Sequence, residues 1–453
     1  MQDTDNTALS VIDMDEKLVN MREVCEQILA LAASKGASSA EVGVSQDTGI
    51  TVQARARDIE TVEFNQDGSF GISVYFGQKK GTASTTDTSQ RAIEQAVEAA
   101  CNFAKYTSAD PFAGLADAEL MATKIEDLSL DHPSDVSVDV MKQMVLDCEA
   151  AGLDVAGIYQ SDSTSISAHR NARVYANSHG FIGDSSSTRY SLSSVLIAQD
   201  EQGMKRDYWY TLGRKFEQLE SAQAVGTKAA ERVLSHLNGR VLKTQKAPIM
   251  FTPEMARGVI GHFLNAIRGS ALYNKASFLV DAKGQQLFPD FVQIDERPHL
   301  IGGLASSYFD NEGVATNPRH IVQDGVLQGY VLNSYAARKM QTQTTANAGG
   351  LHNVFISHQD LDFNAMLQEL GTGFLVTDLM GQGVNVVTGD YSRGASGFWV
   401  EKGVVQFPVH EVTIAGNLKQ MLQNIRCIGK DQDLRSAIVS GSMIIDGMTV
   451  AGQ

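Results

Sequence analysis

The sequence predicts an α+β fold in two parts: an N-terminal unit of helices and antiparallel meanders, and a curled, mostly antiparallel C-terminal β domain around a central helix. Two observations predict this fold. In residues 15–237, the order helix, strand-like runs, helix occurs twice. In residues 247–453, a strongly amphipathic helix stands among short runs rich in Gly, Val and aromatic residues, which is typical of a curled sheet.

The N-terminal unit is predicted to begin after a polar, acidic and disordered tail at residues 1–14. Helical periodicity starts at Asp15, and the alternation typical of strands fills Ala40–Ala83, with Asp67-Gly68 as a turn. Thr88-Ser89 offers hydroxyl caps to the next helix. The first module of this unit is therefore predicted to be a meander between two helices.

The second half of the N-terminal unit has the same order of elements. Residues 15–106 and 138–237 are therefore predicted to be an internal duplication. The alternative is that two α+β modules are alike by chance. The segment NGRVLKTQK, residues 238–246, is the predicted boundary to the C-terminal domain at residues 247–453.

A helix over residues 253–268 is the central element of the C-terminal domain. Thr252 suits the N-cap, Pro253 suits the first helical position, and Arg268-Gly269-Ser270 suits the end. His262 lies at the edge of an apolar stripe that is predicted to pack into a core. The stripe consists of Met255, Val259, Ile260, Phe263 and Ile267.

Several shorter signals surround this helix. Asp324-Gly325 and Lys402-Gly403 are predicted to be hairpin turns. The polar stretch Asp390–Gly397 is predicted to be a tight turn, since it matches neither a nucleophile elbow nor a P-loop. The run NLKQMLQNIRCI, residues 417–428, is predicted to be helical. The pair Gly349-Gly350 lies in a flexible connection, as a plain turn or as the border of a channel.

Charge and cysteine usage narrow the classes of function. The chain has 37 basic and 53 acidic residues, a net charge of −16, and no Lys/Arg-rich run, which argues against nucleic-acid binding. Its first residues lack the features of a secretory signal, and no apolar run approaches the roughly 20 residues that span a bilayer. The four cysteines form no C-x-x-C pair. These features predict a cytoplasmic protein without membrane or nucleic-acid partners.

Three stretches carry a resemblance to a known family. They are the helical segment Thr252–Ser277, the block FDNEGVATNPRHIVQDGVLQGYVLNSYAARKM at Phe309–Met340, and the glycine-containing block at Gly381–Leu418. On these stretches the chain resembles the PmbA/TldE branch of the TldD/PmbA family. Members of this branch work with TldD as a two-subunit metalloprotease, and the family was also linked to modulation of DNA gyrase.

The resemblance implies a degenerate metal site. Metal-binding relatives carry an H-E-x-x-x-H motif on the central helix, and its three key positions correspond here to Arg257, Gly258 and His262. An arginine cannot ligate a cation. Those relatives also place a cysteine before a Gly-Lys pair, where this chain has Ile428, with Cys427 displaced by one residue. No metal, cofactor or assigned catalytic residue is therefore expected, and a satisfied core histidine is the alternative role for His262.

The resemblance implies that this chain is the non-metal subunit of a cytosolic TldD-like metalloprotease, a hydrolase acting on unfolded or short peptides. Peptide-antibiotic precursors and antitoxins are among the implied substrates. Zinc is expected in a TldD-like partner within a heterodimer. Two alternatives stay open: a homodimeric peptidase that acts on its own, and a regulatory protein-binding subunit without a proteolytic role.

Overall fold

The computed structural model describes residues 13–87 and 89–452. In this range the chain divides into two compact units. The first comprises the described residues up to Gln199, with Gly203–Leu234 and Tyr308–Thr316. The second comprises Asp200–Gln202, Ser235–Ser307 and the described residues from Asn317 onward. Most of the predicted tail lies outside the described residues.

The first unit is one sheet covered by helices. Its α-helices are α1 (Met14–Ser34), α2 (Gln90–Tyr106), α3 (Val138–Leu153) and α4 (Ala222–Ser235). Its strands are β1 (Ser39–Arg55), β2 (Asp58–Phe76), β3 (Lys79–Thr85), β4 (Ile158–Asn177), β5 (Ile182–Asp200) and β6 (Gly203–Gly213). The strands form one six-stranded sheet in the order β3-β2-β1-β4-β5-β6. The central pair, β1 with β4, is antiparallel and joins the two helix–meander–helix modules.

The helices cover one face of this sheet with two adjoining cores. Val42 of β1 is buried in a core with residues of α1 and α2. Ile50 of β1 is buried in a second core with residues of α3 and α4. Because side chains of a strand alternate between faces, residues eight positions apart point to the same face. The long strand β1 therefore serves both cores.

One predicted turn in this unit is wrong. Asp67-Gly68 lies inside β2, where Gly68 pairs with Gln46 of β1. The hairpin between β1 and β2 is formed instead by Ala56 and Arg57, whose φ angles are 55° and 66°. The preference of an Asp-Gly pair for a turn is a local effect. Here both residues pair with β1, Asp67 with Asp47 and Gly68 with Gln46, and this pairing overrides the preference. Ser89 is the N-cap of α2 and accepts a hydrogen bond from the Ala92 amide, whereas Thr88 lies outside the described residues.

The second unit combines two sheets with short helices. Its α-helices are α5 (Pro253–Ala266), α6 (Gly269–Tyr273), α7 (Ser334–Lys339), α8 (Phe363–Leu370) and α9 (Leu418–Gln423). Its strands are β7 (Gln245–Phe251), β8 (Ile294–Glu296), β9 (Arg319–Gln323), β10 (Val326–Leu327), β11 (Val354–Ile356), β12 (Gly373–Met380), β13 (Asp390–Glu401), β14 (Val404–Asn417), β15 (Ile425–Ile428), β16 (Ile438–Val439) and β17 (Met443–Ala451).

Closure of the larger sheet explains its curl. A five-stranded sheet has the order β10-β9-β8-β11-β16, and a six-stranded sheet has the order β14-β13-β12-β7-β17-β15. β14 also pairs with β17, so that five strands close on themselves. Most pairs are antiparallel, with β7–β12 and β11–β16 parallel. The predicted α+β class, with a curled and mostly antiparallel C-terminal sheet, is confirmed. Among the described helices, none has the length and apolarity that crossing a membrane requires.

The central helix α5 packs its apolar stripe into the core of the second unit. Phe263 and Ile267 are fully buried, and the Phe263 ring meets Phe288 edge-on with centroids 4.9 Å apart. Met255 is only partly buried, so the predicted stripe was too wide at its first turn. The helix ends at Ala266, two residues before the predicted end, and Arg268 caps the next helix, α6.

The shorter signals of this unit have mixed outcomes. The turns at Asp324-Gly325 and Lys402-Gly403 are confirmed, and all four residues have positive φ. The stretch Asp390–Gly397 is not a turn but the first part of β13, paired with β12 and β14. The predicted helix at residues 417–428 ends at Gln423, and its last four residues form β15. In both cases pairing with distant strands decides the conformation.

Candidate functional site: the degenerate motif on the central helix

The first turns of α5 carry a network of alternating charges. Arg257 Nη1 donates a hydrogen bond to Asp433 Oδ2 at 3.2 Å. Arg435 Nε donates to the other oxygen of Asp433 at 2.8 Å, and its Nη2 donates to Glu254 Oε1 at 3.3 Å. The Asp433 side chain is only 5% exposed. Two guanidinium groups thus balance two carboxylates, and Arg257 is held in place by a nearly buried anion.

His262 lies one turn further along α5, beside strand β13. Its ring meets the Tyr391 ring at a centroid distance of 6.0 Å and an angle of 72°. Burial, together with the nearby charge of Arg393, lowers the pKa of His262 below its usual value of 6.5. Burial also raises the pKa of Tyr391 to about 12. The imidazole is therefore held in its neutral form near pH 7, between an aromatic ring and a guanidinium charge.

Gly258 leaves an open space on the same helix. A Cβ atom added at Gly258 would meet no atom within 4 Å apart from its own chain neighbours and helix backbone. A Cβ atom at this position therefore fits without moving its surroundings. The residue itself offers no acid–base group, because glycine has no side chain.

Cys427 and Ile428 point to opposite faces of the sheet. Ile428 is fully buried in the core that also contains Ile260 and Phe263 of α5. Cys427 is buried in a different cluster, and its Sγ lies 3.8 Å from the Met366 sulfur of α8. Burial raises the pKa of the Cys427 thiol to about 11. Position 428 therefore shares a core with the motif helix, and Cys427, its neighbour in the chain, lies on the other face.

The donor set at α5 does not fit the metal that a TldD-like motif implies. Zinc sites need three or four His, Cys or carboxylate ligands. At the three helix positions this chain has a guanidinium, no side chain and one imidazole, and position 428 is aliphatic. Within residues 13–87 and 89–452, no group of three or more His, Cys, Asp or Glu side chains is arranged to hold a metal ion. We therefore derive no chemical step through a metal in this chain.

Comparison with models of known protein families assigns this chain to a family. Three family models match it: PmbA/TldA metallopeptidase domain 1 at residues 40–104, the central domain at residues 131–237, and the C-terminal domain at residues 244–452. The chain belongs to the PmbA/TldA metallopeptidase family. The resemblance detected in the sequence is confirmed.

Individual relatives of this PmbA/TldA chain agree with that assignment. Metalloprotease PmbA of Escherichia coli O157:H7 is 47% identical over 446 residues, which cover 98% of each chain. The crystal structure of a candidate modulator of DNA gyrase from Bacteroides thetaiotaomicron VPI-5482 is 26% identical, with a TM-score of 0.91 over 95% of this chain and 99% of that one. TldE from Thermococcus kodakarensis is 18% identical with a TM-score of 0.83, over 95% of this chain and all of that one (100%), and it shows a shared fold.

Three participants in the charge network were missed in the sequence of this PmbA/TldA chain. The sequence alone predicts no role in a site for Glu254, Asp433 or Arg435. The short sequence D-L-R places a carboxylate and a guanidinium two residues apart, which is the only local signal. Their pairing with α5 spans 176 and 181 residues, so no spacing rule could have indicated it.

Proposed function

We propose that this chain is the non-metal subunit of a two-subunit metallopeptidase whose TldD-like partner carries zinc. Its substrates are short or unfolded peptides, with peptide-antibiotic precursors and antitoxins among them. The membership of the PmbA/TldA metallopeptidase family supports the peptidase class. All four cysteines are free and buried, which suits the reducing cytoplasm as the place of action.

The ion pair between Arg257 and Asp433 carries this proposal. Arginine stays protonated at any physiological pH, so the first motif position holds a permanent positive charge. A metal ion bound beside it would meet that charge as well as the absence of a base at Gly258. The carboxylate of Asp433, which would otherwise attract a cation, is already engaged by two guanidinium groups. Chemistry of this helix therefore favours a structural role over hydrolysis.

The two subunits have different tasks in this proposal. The partner supplies the metal-activated water and the general base, and this chain supplies binding surface. Strand β6 is an outer strand of its sheet and is 11 residues long, which is enough to pair with an extended peptide by strand addition. The outer strands β10 and β16 of the smaller sheet have two residues each, so they offer little for such pairing.

The test compares the purified chain, a TldD-like subunit from the same cell, and the two mixed. Metal content is measured by plasma mass spectrometry, and cleavage by release of a fluorophore from short unstructured peptides. We expect no stoichiometric zinc and no cleavage with this chain alone, and zinc-dependent cleavage that rises when it is added to the partner. Near-equimolar zinc in this chain that is lost in His262→Ala would overturn the proposal.

The same experiment separates the two alternatives. Cleavage by this chain alone, with a size consistent with a homodimer, would indicate a self-sufficient peptidase. Binding to the partner with no effect on cleavage would indicate a regulatory protein-binding subunit. The matched control is Arg257→Lys, which keeps a positive charge at the first motif position and should leave both the zinc content and the assisted cleavage unchanged.

A further inference from the structure

The second unit contains a cavity of roughly 210 Å³ that lies apart from the degenerate motif. It brings together two segments noted in the sequence: Arg268-Gly269-Ser270, which follows the central helix, and Gly349-Gly350. Aromatic walls come from Tyr273 of α6 and Tyr335 of α7. The two glycine-containing segments, about 80 positions apart in the chain, therefore line one cavity, which suggests that they have a common role.

Arg268 gives this cavity a positive charge that its lining does not balance. The residue is exposed, and its guanidinium forms no hydrogen bond or ion pair with any residue in the described part of the chain. Its Nη2 atom lies 3.9 Å from the point where a side chain at Gly350 would begin. No Asp or Glu lines the cavity, although the chain as a whole has a net charge of −16. A guanidinium with free donors binds planar carboxylates in a bidentate manner.

The aromatic wall adds an apolar surface to the cavity, and Lys339, which does not line the cavity, lies against its rings. The rings of Tyr273 and Tyr335 meet edge-on with centroids 5.9 Å apart. Lys339 Nζ lies 4.8 Å from the centroid of Tyr273 and 5.3 Å from that of Tyr335, within the range of cation–π attraction. The lining therefore combines the Arg268 cation with flat apolar faces, as a site for an anion next to a side chain requires.

A second part of the lining, with Asn347 and Gly349-Gly350, is fixed by hydrogen bonds to the buried carboxylate of Glu296. Asn347 Nδ2 donates to Glu296 Oε1 at 2.7 Å, and Asn347 Oδ1 accepts from Arg319 Nη2 at 2.8 Å. Glu296 also accepts from Arg319 Nε and from the backbone amide of His352. The segment with Gly349-Gly350 is thus fixed between Asn347 and His352. A preformed wall reduces the entropy that binding would cost.

The size and the donors of the cavity limit its ligand. Pockets for drug-sized molecules and cofactors occupy about 300–1,000 Å³, so this cavity suits one residue and not a nucleotide. Phosphate sites commonly use free backbone amides, but the amides of Gly269 and Gly350 already donate to Val331 O and Asn347 O. The donors of the lining include the Arg268 guanidinium and the Tyr273 hydroxyl, which also makes no hydrogen bond with a described residue.

We propose that this cavity binds a carboxylate of a peptide through Arg268, with the adjoining side chain against Tyr273 and Tyr335. The carboxylate belongs to the peptide C-terminus or to an Asp or Glu side chain, which share this chemistry. The inference rests on the proposed function only in taking a peptide as the ligand. It gives this chain a defined part in substrate selection: it anchors one acidic position of the peptide.

The experiment is calorimetric titration of the full chain with three peptides. They are Ala-Ala-Ala-Leu with a free carboxylate, the same peptide as an amide, and Ala-Ala-Asp-Leu as an amide. We expect the first peptide to bind at least about tenfold more tightly than its amide, since a hydrogen bond to a charged group contributes that much. Recovery of affinity in the third peptide identifies a side-chain carboxylate as an equivalent ligand, and its absence assigns the site to the C-terminus.

Variants of Arg268 test whether the peptide binds at this cavity. Arg268→Ala should lose the preference for the carboxylate, and Arg268→Lys should keep part of it. Arg91→Ala is the matched control, because Arg91 is an exposed arginine of the first unit and its removal changes the net charge equally. Circular dichroism of each variant verifies that it is folded. Equal binding of acid and amide, binding that Arg268→Ala leaves unchanged, or no binding by the wild type would overturn the inference.

The outcome is separable from that of the proposed function. In the complex with a TldD-like subunit, Arg268→Ala should raise the KM for an acidic peptide and leave kcat unchanged. Normal assisted cleavage by a wild-type chain that binds the acid and the amide equally would refute the cavity assignment alone. Arg268-dependent binding without any assisted cleavage would refute the proposed function and leave the cavity assignment standing.

Discussion

The guanidinium of Arg257 donates to the carboxylate of Asp433 at 3.2 Å, across 176 residues of sequence. By the resemblance described above, Arg257 corresponds to the first histidine of the motif in metal-binding relatives, and Asp433 lies shortly after the Gly429-Lys430 pair that follows the expected cysteine position. The two segments that would supply metal ligands in a TldD-like subunit are thus joined here by an ion pair. The pair accounts for the local charge balance without a metal.

Loss of this ion pair should destabilise the protein. Arg257→Ala leaves the nearly buried Asp433 with fewer donors, so we expect the free energy of unfolding to fall by about 1–3 kcal/mol. Urea unfolding followed by circular dichroism measures the change. The control is Lys124→Ala, which removes an ion pair with Glu126 in which both side chains are more than half exposed. This variant should not change the urea concentration at the midpoint of unfolding. Equal behaviour of the two variants would show that the Arg257 pair contributes nothing.

Phe263 should be among the most costly side chains of α5 to truncate. It is fully buried against Phe288, and replacement of a buried Phe by Ala typically costs about 3–5 kcal/mol. Met255 on the same helix is only partly buried, so Met255→Ala should cost clearly less. Both are measured by urea unfolding. A loss under about 1 kcal/mol for Phe263→Ala would mean that α5 is peripheral.

Restoration of the motif should yield weak metal binding until position 428 is also changed. Arg257→His with Gly258→Glu supplies two helix residues, and the Cβ atom of the glutamate meets no neighbour at position 258. In addition, i and i+5 positions are about 140° apart on a regular helix, so the site needs local distortion. We expect this double variant to bind zinc weakly and to stay inactive.

Ile428→Cys should then raise zinc affinity more than either change on the helix. Position 428 shares a core with Ile260 and Phe263, whereas Cys427 is buried in a separate cluster with residues of α8. Zinc titration with a competing chromophoric chelator measures the affinities. The control adds Cys427→Ser to the triple variant and should leave the affinity unchanged. If the double and triple variants bind equally, position 428 does not take part in the site.

Glu296 should make the protein sensitive to acid. Its hydrogen bonds with His352 and Arg319 outweigh burial and hold its pKa below the usual 4.5. A carboxylate with a lowered pKa in the folded state contributes stability above its unfolded pKa, and that stability is lost as the pH falls through the folded pKa. Unfolding free energy should therefore decrease from about pH 4.5 downward, in addition to the loss from other carboxylates.

The measurement for Glu296 is urea unfolding between about pH 3 and pH 7. Glu296→Gln should lower stability near neutral pH and show a smaller further loss in acid. Glu23→Gln removes an exposed carboxylate of the first unit and should follow the wild-type profile. A Glu296→Gln profile parallel to that of the wild type at every pH would exclude this carboxylate as the source of the acid sensitivity.

Several features were determined by the sequence itself. The amphipathic stripe of α5, the cap at Ser89 and the turns at Asp324-Gly325 and Lys402-Gly403 depend on residues within one or two turns of the chain. These three signals are local, since the backbone geometry that each requires is set by its own side chains. The block at Phe309–Met340 was one of the stretches on which the resemblance to the family rested.

Other features were decided only by the tertiary structure. Asp67-Gly68 is extended because Gln46 pairs with Gly68 across the sheet. Alternation along β15 separates Cys427 from Ile428, but only the packing of α5 on one face determines which of them approaches the motif. The Arg257–Asp433 pair and the Arg268 cavity likewise join segments distant in the chain. Packing and pairing act in space, so their partners are fixed by the fold and not by the spacing of residues in the sequence.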